Sequence, residues 1–170
     1  MLITFLRNAD RVKIACLAQL VNVIAPIMTR NGGGAWAQTI YWPFLHASQY
    51  GRGTALRPVV ESPVYDCKAC EKVPCIDATA VLGDDGGVTI FAVNRSMTDD
   101  IALTADMRAF GELKMIEHIQ LHHDDVKAVN TEECPQRVYP VVKPNVQPDA
   151  GHLEVQLDAL SWNVIRLGRK

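Results

Sequence analysis

The clearest structural pattern in the chain reads Ile76-Asp-Ala-Thr-Ala-Val-Leu82, then Gly83-Asp-Asp-Gly-Gly87, then Val88-Thr-Ile-Phe-Ala-Val93. Apolar residues alternate along the first run, and a second apolar run follows the segment rich in glycine and aspartate. Alternation with a period of two is typical of a β-strand, and glycine with aspartate favours a tight reversal of the chain. These residues therefore predict a β-hairpin.

Further short apolar runs surround this hairpin, and turn-forming residues separate them. They predict strands at residues 59–65, 101–105, 113–121, 153–157 and 162–167. Residues 124–149 contain four prolines and predict a long loop that crosses the domain. Short strands without intervening helices indicate a mainly β fold, an antiparallel β-sandwich of jelly-roll type.

The region before residue 53 has a different pattern. Beyond Lys13, residues 14–28 are apolar or proline except for Gln19 and Asn22. We predict a strand at residues 12–20 that other elements cover on both faces, as in a barrel or a doubly wound sheet. Polar side chains at the end of such a strand often build a binding site, but the two amides would also serve to satisfy loop backbone groups. Spacing alone leaves both interpretations open.

Helical patterns flank this predicted strand. Residues 1–8 predict the last turns of an amphipathic helix, and residues 36–50 predict a second helix with Thr39 as its cap. The glycines at residues 32–34 predict a mobile loop, because the Gly-Lys-Ser/Thr ending of a phosphate-binding loop is missing. One strand with one or two helices is a single α/β unit of a barrel or of a Rossmann-type domain without its companions, so we expect the chain to be part of a larger protein.

Composition restricts the partners that the chain could bind. Its 170 residues include 17 basic and 19 acidic side chains, for a net charge of -2, which provides no field suited to nucleic acid or to an anionic membrane. The longest apolar stretch is too short and too interrupted to span a bilayer, and the charges near the N-terminus do not fit a secretory signal. We predict a soluble, cytoplasmic protein without a nucleic-acid or membrane partner.

The cysteines raise the question of a metal site. Their number, five, is odd and favours a reducing compartment over a disulfide framework. Cys67 and Cys70, with Cys75 nearby, form one half of a zinc pattern, but no second pair of ligands follows at the usual spacing. We predict neither a metal nor a cofactor, and a zinc-dependent interaction module remains an alternative hypothesis.

One long motif spans the N-terminal region: Ala9-Asp-Arg-Val-Lys-Ile-Ala-Cys-Leu-Ala-Gln-Leu-Val-Asn-Val-Ile-Ala-Pro-Ile27, followed by Ala35-Trp36 and Gln38-Thr-Ile-Tyr-Trp-Pro-Phe44. Three later pieces accompany it: Ser62-Pro-Val-Tyr-Asp66, Thr89-Ile-Phe-Ala-Val-Asn-Arg95 and Ser161-Trp-Asn-Val-Ile-Arg-Leu167. Together they closely resemble the C-terminal part of the intracellular α-L-arabinofuranosidases of glycoside hydrolase family fifty-one. The resemblance covers nearly the whole chain.

This resemblance implies a fold and a reaction. Members of the family combine a catalytic (β/α)8 barrel with a jelly-roll-like sandwich, so residues 1–52 would be a barrel remnant and residues 53–170 the sandwich. They release terminal α-L-arabinofuranosyl groups from arabinan and arabinoxylan oligosaccharides with retention, which requires two carboxyl groups about 5 to 5.5 Å apart. Both family glutamates belong to earlier barrel strands. We therefore expect this chain alone to contain no catalytic residue and to be inactive.

The resemblance also implies substrate-binding candidates. Gln19 matches the glutamine that hydrogen-bonds the bound arabinofuranose, and an amide offers a donor and an acceptor without charge. Asn22 and Trp36 are further candidates, with loop support and core packing as their respective alternatives. The alternative function is a stand-alone carbohydrate-binding sandwich, which would require an exposed aromatic platform.

The barrel remnant also predicts an assembly. Without barrel neighbours, the apolar segment at residues 12–27 must pack on the sandwich, pair with another copy or remain disordered. Because an uncovered apolar strand is an association site, we expect a homo-oligomer that forms through this segment.

Overall fold

Short and medium strands dominate the chain, whose computed structural model describes residues 1–169. In chain order the elements are α1 (Leu2–Arg7), β1 (Ile27–Thr29), β2 (Ala35–Ala37), α2 (Tyr41–Tyr50), β3 (Thr54–Leu56), β4 (Val64–Tyr65), β5 (Val73–Pro74), β6 (Ile76–Leu82), β7 (Val88–Asn94), β8 (Ile101–Asp106), β9 (Leu113–His122), β10 (Val141–Val142), β11 (His152–Leu157) and β12 (Ser161–Arg169). Within this part of the chain, no helix has the length and apolar character to cross a membrane.

Six strands form the main antiparallel sheet, in the order β10-β9-β12-β7-β6-β3. The predicted β6–β7 hairpin is confirmed, with Ile76 opposite Asn94 and Leu82 opposite Val88. Gly86 lies in its turn with a φ of 77°, a left-handed conformation that glycine adopts without strain. The C-terminal strand β12 pairs with β7 on one side and with β9 on the other, so it lies inside the sheet, whereas β3 lies at one edge.

A second sheet, made of β8 and β11, covers one face of the main sheet. Leu153 and Leu157 of β11 are fully buried and belong to one apolar cluster with Ile90 and Ile165 of the main sheet. Two packed antiparallel sheets with an apolar layer between them define a β-sandwich. The predicted mainly β sandwich is therefore confirmed.

The N-terminal helices cover the opposite face of the main sheet. Ile3 of α1 is 3% exposed and packs in a second apolar cluster with Phe91 and Trp162. Trp42 of α2 lies against the same cluster. The first 52 residues and the sandwich thus share buried contacts, and the division of the chain at residue 52 stays a prediction.

Most of the predicted strands are confirmed. The predictions at residues 101–105, 113–121, 153–157 and 162–167 correspond to β8, β9, β11 and β12, which are slightly longer. The strand predicted at residues 59–65 is reduced to β4, because Pro58 and Pro63 provide no N–H for a longer ladder. The loop predicted at residues 124–149 is confirmed apart from the two-residue strand β10.

Two predictions for the N-terminal region were wrong. Residues 12–20 form no strand, and most of them are exposed. A buried parallel strand requires hydrogen-bonding neighbours on its edges, and none of residues 1–169 pairs with this segment. The helix predicted at residues 36–50 begins at Tyr41, after Ile40 rather than a Thr39 cap. Trp36 instead pairs with Met28 in the β1–β2 hairpin.

Candidate functional site

Asn22 lies in the loop before β1 and holds that loop in shape. Its φ is 60°, a conformation that asparagine tolerates better than most residues. The Asn22 Oδ1 atom accepts a hydrogen bond from the Thr29 backbone N–H at 2.7 Å, and Asn22 Nδ2 donates to Thr29 Oγ1 at 2.9 Å. The Asn22 N–H donates to the Ile27 carbonyl at 2.8 Å. Asn22 therefore supports the loop, and its contact with substrate stays a prediction.

Trp36 lies on β2, opposite Met28, and its side chain is half-buried. Its indole Nε1 donates a hydrogen bond to the backbone carbonyl of Asn130 at 3.1 Å. The polar edge of the ring thus bonds to the sandwich loop, while part of the ring remains accessible. Stacking of Trp36 on a sugar stays a prediction.

Gln19 occupies the exposed apolar segment three positions before Asn22. Among residues 1–169, its side-chain amide makes no hydrogen bond or ion pair. An exposed amide keeps its donor and its acceptor available for a ligand. The structure therefore leaves Gln19 accessible, and its role in sugar binding also stays a prediction.

Two residues that the sequence patterns did not identify attach the β1–β2 hairpin to the sandwich. The buried Asn130 side chain donates to the Ala37 carbonyl at 2.9 Å and accepts from the Val138 N–H at 2.8 Å. Glu132 accepts a hydrogen bond from the Gly34 N–H at 3.1 Å and pairs with Arg30 at 2.8 Å. The contacts with Ala37 and Gly34 join residues more than 90 positions apart, so no local pattern could have indicated them.

Several carboxylates of the chain make ion pairs or hydrogen bonds that stabilise their charged form. Four that are mostly shielded from solvent each face a cation, in the pairs Asp77 with Arg7 and Arg95, Glu117 with Arg166, Glu132 with Arg30, and Asp158 with Lys143. Hydrogen bonds from Arg108 lower the pKa of Asp106, and a backbone hydrogen bond lowers the pKa of Glu133. A catalytic acid requires the opposite shift.

A cavity of about 670 Å³ is lined by residues of both the N-terminal region and the sandwich. Leu17, Phe44, His122 and Trp162 are among the residues that line it, but none of Gln19, Asn22 and Trp36 does. The three candidates therefore lie outside the lining of this cavity.

Two features bear on the alternative functions: the tryptophan of the terminal strand and the cysteines. Trp162, the aromatic residue of the terminal strand, is buried beside Phe91 and offers no platform for sugar stacking. No group of three or more His, Cys, Asp or Glu side chains within residues 1–169 is arranged to hold a metal ion. Cys67 and Cys70 are exposed, and Cys75 is buried.

A sequence model of the α-L-arabinofuranosidase C-terminal domain matches residues 1–161. The chain belongs to this family. An intracellular exo-α-(1→5)-L-arabinofuranosidase from Halalkalibacterium halodurans is 53% identical and covers 100% of the chain. A protein of the same name from Acetivibrio thermocellus is 51% identical over 99% of the chain. The chain spans about a third, 34%, of the length of each of these relatives.

Solved structures of arabinofuranosidases share the fold of this family member. A family 51 α-L-arabinofuranosidase from Bifidobacterium longum superposes with a TM-score of 0.88 at 37% identity, over 97% of this chain and 32% of its own. An arabinose complex of the Thermotoga maritima enzyme gives a TM-score of 0.85 at 26% identity, over 99% of this chain and 36% of its own. The predicted relationship to the C-terminal part of the family 51 enzymes is confirmed.

Proposed function

We propose that the chain is the non-catalytic C-terminal part of an exo-acting α-L-arabinofuranosidase. The observation that carries this proposal is the match of the whole chain to one third of a relative at 53% identity. In the proposed enzyme, two glutamates outside this chain hydrolyse terminal α-L-arabinofuranosyl groups of arabinan and arabinoxylan oligosaccharides with retention. The ion-paired carboxylates of the chain support a structural role for its own acidic residues.

The proposed contribution of this chain to the sugar site combines direct contacts with support of the loop that carries them. The accessible amide of Gln19 donates to and accepts from hydroxyls of the arabinofuranosyl ring. Asn22 holds the following loop through Thr29, and Trp36 offers the open part of its ring to the sugar. The Trp36–Asn130 hydrogen bond connects this loop region to the sandwich, so the sandwich stabilises the position of the sugar-binding residues.

A chimera tests this proposal. This chain replaces the matching third of the Halalkalibacterium halodurans relative, and hydrolysis of 4-nitrophenyl α-L-arabinofuranoside is measured for the chimera and for the chain alone. We expect turnover by the chimera and none by the chain. In the chimera, Gln19→Ala should lower kcat/KM by about 10- to 100-fold, as the loss of one or two hydrogen bonds to substrate would.

The exposed amide Gln49 on α2 provides the matched control, because Gln49→Ala should leave kcat/KM of the chimera unchanged. Turnover by the isolated chain would disprove the proposal that the two catalytic glutamates lie outside this chain. An unchanged kcat/KM in the Gln19→Ala chimera would reject the sugar contact while leaving the family assignment intact.

The proposed location and assembly follow from the relatives and from the surface. Several relatives carry the word intracellular in their names, which supports a cytoplasmic location.

Five apolar side chains between residues 14 and 24 are exposed, namely Ile14, Leu20, Val21, Val23 and Ile24. An exposed apolar segment of this kind supports self-association of the chain through residues 14–24.

A further inference from the structure

Cys67 and Cys70 face each other across a two-residue turn between β4 and β5. The Cys67 N–H donates to the Cys70 carbonyl at 2.8 Å, and the Cys70 N–H donates to the Cys67 carbonyl at 3.2 Å. Residues that exchange both backbone hydrogen bonds lie with their Cα atoms about 5.5 Å apart. A disulfide spans Cα separations of roughly 4.4 to 6.8 Å. The backbone therefore holds the two cysteines at a distance that one disulfide can bridge.

The surrounding hairpin keeps this turn in place. In the strands that flank the turn, β4 pairs with β5, with Tyr65 opposite Val73. Between these strands and the turn, Asp66 Oδ1 accepts a hydrogen bond from the Lys72 N–H at 2.7 Å. Lys72 has a φ of 53°. The loop from Asp66 to Lys72 is thus closed by a side chain as well as by strand pairing, which reduces the conformational entropy that bridging the cysteines would cost.

Exposure combined with proximity distinguishes this pair from the other thiols of the chain. Cys67 and Cys70 are both exposed, whereas Cys75 is 7% exposed and is fixed by backbone hydrogen bonds to Pro63 and Arg95. Cys16 and Cys134 are exposed but lie outside the hairpin. A dissolved oxidant can reach the pair, and each member has the other as its nearest partner in the turn.

We propose that Cys67 and Cys70 are an oxidation site that a low-molecular-weight disulfide, such as oxidised glutathione, converts into an intramolecular disulfide. One cysteine thiolate attacks a glutathione sulfur, the glutathione S–S bond breaks, and one glutathione thiolate leaves. The second cysteine thiolate attacks the mixed disulfide and displaces the other glutathione. Two electrons pass from the protein to glutathione, and the two cysteine protons end on the two glutathione thiols. This site is independent of the proposed function.

The geometry also indicates that this disulfide is easily reversed. A bridge between Cys67 and Cys70 closes a very short loop, so it gains little from restricting the unfolded chain. Exposed disulfides with small stabilisation are the labile ones, whereas structural disulfides resist reduction by glutathione. The pair therefore responds to the ratio of oxidised to reduced glutathione, as redox-sensing cysteines of reducing compartments do.

The test equilibrates the purified chain with glutathione at several redox ratios, quenches with iodoacetamide and identifies modified peptides by mass spectrometry. In the wild type we expect a Cys67–Cys70 disulfide that exceeds glutathione adducts at these two positions by about tenfold, because each thiol is held at high effective concentration near the other. Cys67→Ser and Cys70→Ser should each instead give a glutathione adduct at the remaining cysteine. Cys16→Ser and Cys134→Ser should leave the disulfide unchanged.

The contribution of the loop geometry is tested separately. Asp66→Ala removes the acceptor for the Lys72 N–H and should lower the fraction of disulfide several-fold at a given redox ratio, whereas Asp66→Asn keeps an acceptor and should not. Adducts in place of the disulfide, or a bridge from either cysteine to Cys75, would overturn the proposal. Retention of one zinc ion per reduced chain, lost in Cys67→Ser, would also overturn it and make the pair a metal site.

Discussion

The side chain of Asn130 shows how one buried amide connects distant parts of the chain. It is 2% exposed and bonds to Ala37 of β2 and to Val138 of its own loop, and its backbone carbonyl accepts the indole N–H of Trp36. A buried amide with several partners is costly to remove, because each partner then becomes an unsatisfied polar group. Asn130 thus stabilises the position of a proposed sugar-binding tryptophan without itself lying near the exposed surface.

Asn130→Ala should destabilise the chain and loosen the β1–β2 hairpin. We expect the free energy of unfolding to fall by about 2 to 3 kcal/mol, since several buried hydrogen bonds lose one partner. Chemical denaturation monitored by tryptophan fluorescence measures this change. Asn31→Ala, at an exposed asparagine in the β1–β2 turn, is the control and should change stability by less than about 0.5 kcal/mol. Equal effects of the two substitutions would contradict the assigned role.

His46 makes stability depend on pH. Burial lowers its pKa below the ordinary value of 6.5, and the Glu117 carboxylate opposes this shift. The unfolded chain, in which this histidine has an ordinary pKa, therefore binds a proton first as the pH falls below 6.5. The free energy of unfolding should decrease from pH 6.5 downward until the folded state is also protonated. Burial likewise lowers the pKa of His118, which adds to the same slope.

His46→Gln should flatten this slope between pH 6.5 and 5, because glutamine can still accept the hydrogen bond that Trp162 Nε1 donates to His46 at 3.3 Å but does not titrate. The decrease in slope is at most about 1.4 kcal/mol per pH unit. Urea denaturation at a series of pH values measures it. His152→Gln, at an exposed histidine, should leave the slope in place. A slope that His46→Gln does not change would disprove the role of His46.

Helix α1 is too short to be stable alone, so its attachment to the sheet determines whether it forms. Ile3 provides its buried contact, and Arg7 contacts Asp77 Oδ1 and the Ala78 carbonyl of β6. Asp77 also accepts from Arg95 at 2.7 Å. The Asp77 carboxylate of β6 thus joins a cation of the helix to Arg95, which directly follows β7.

Ile3→Ala should detach α1 selectively. We expect a loss of about 2 to 4 kcal/mol in stability, typical of a buried isoleucine replaced by alanine, together with faster amide exchange in residues 2–7. Hydrogen–deuterium exchange with mass spectrometry measures both α1 and the β6–β7 hairpin. Thr4→Ala, at an exposed position of the same helix, should preserve slow exchange. Fast exchange in the hairpin as well would indicate that α1 and the sheet unfold as one unit.

Elements differ in how far their local sequence specifies them. The β6–β7 hairpin combines alternation, a glycine-rich turn and a partner strand only a few residues away, so its pattern and its pairing coincide. Residues 12–20 have an equally apolar pattern but no partner strand within residues 1–169. Apolar character predicts burial, whereas a strand also requires a hydrogen-bonding neighbour. For that reason an apolar pattern predicted the β6–β7 hairpin correctly but predicted a strand at residues 12–20 wrongly.

The exposed segment at residues 14–24 is the surface through which we propose that the chain associates in solution. Ile14 is 83% exposed and Val23 is 81% exposed, and water-exposed apolar side chains in sequence favour association. We expect concentration-dependent self-association in sedimentation velocity experiments. Ile14→Asp combined with Val23→Asp should shift the chain toward the monomer, because charges in an apolar interface are costly to bury.

Val59 offers a matched control for this prediction, because it is 94% exposed and lies outside the segment. Val59→Asp should leave the degree of association unchanged. A monomeric wild type at all concentrations, with slow amide exchange in residues 14–24, would contradict the prediction. Equal effects of Val59→Asp and of the double substitution would place the interface elsewhere.

The order of amino acids was sufficient for most of the longer sandwich strands, the β6–β7 hairpin and the family relationship, since alternation, turn residues and long motifs are all local properties. It was not sufficient for the conformation of residues 12–20, for the start of α2 or for the attachment of Trp36 to Asn130. Those features depend on which segments lie side by side. Contacts between residues more than 90 positions apart arise from packing of the folded chain, and no pattern within either segment contains them.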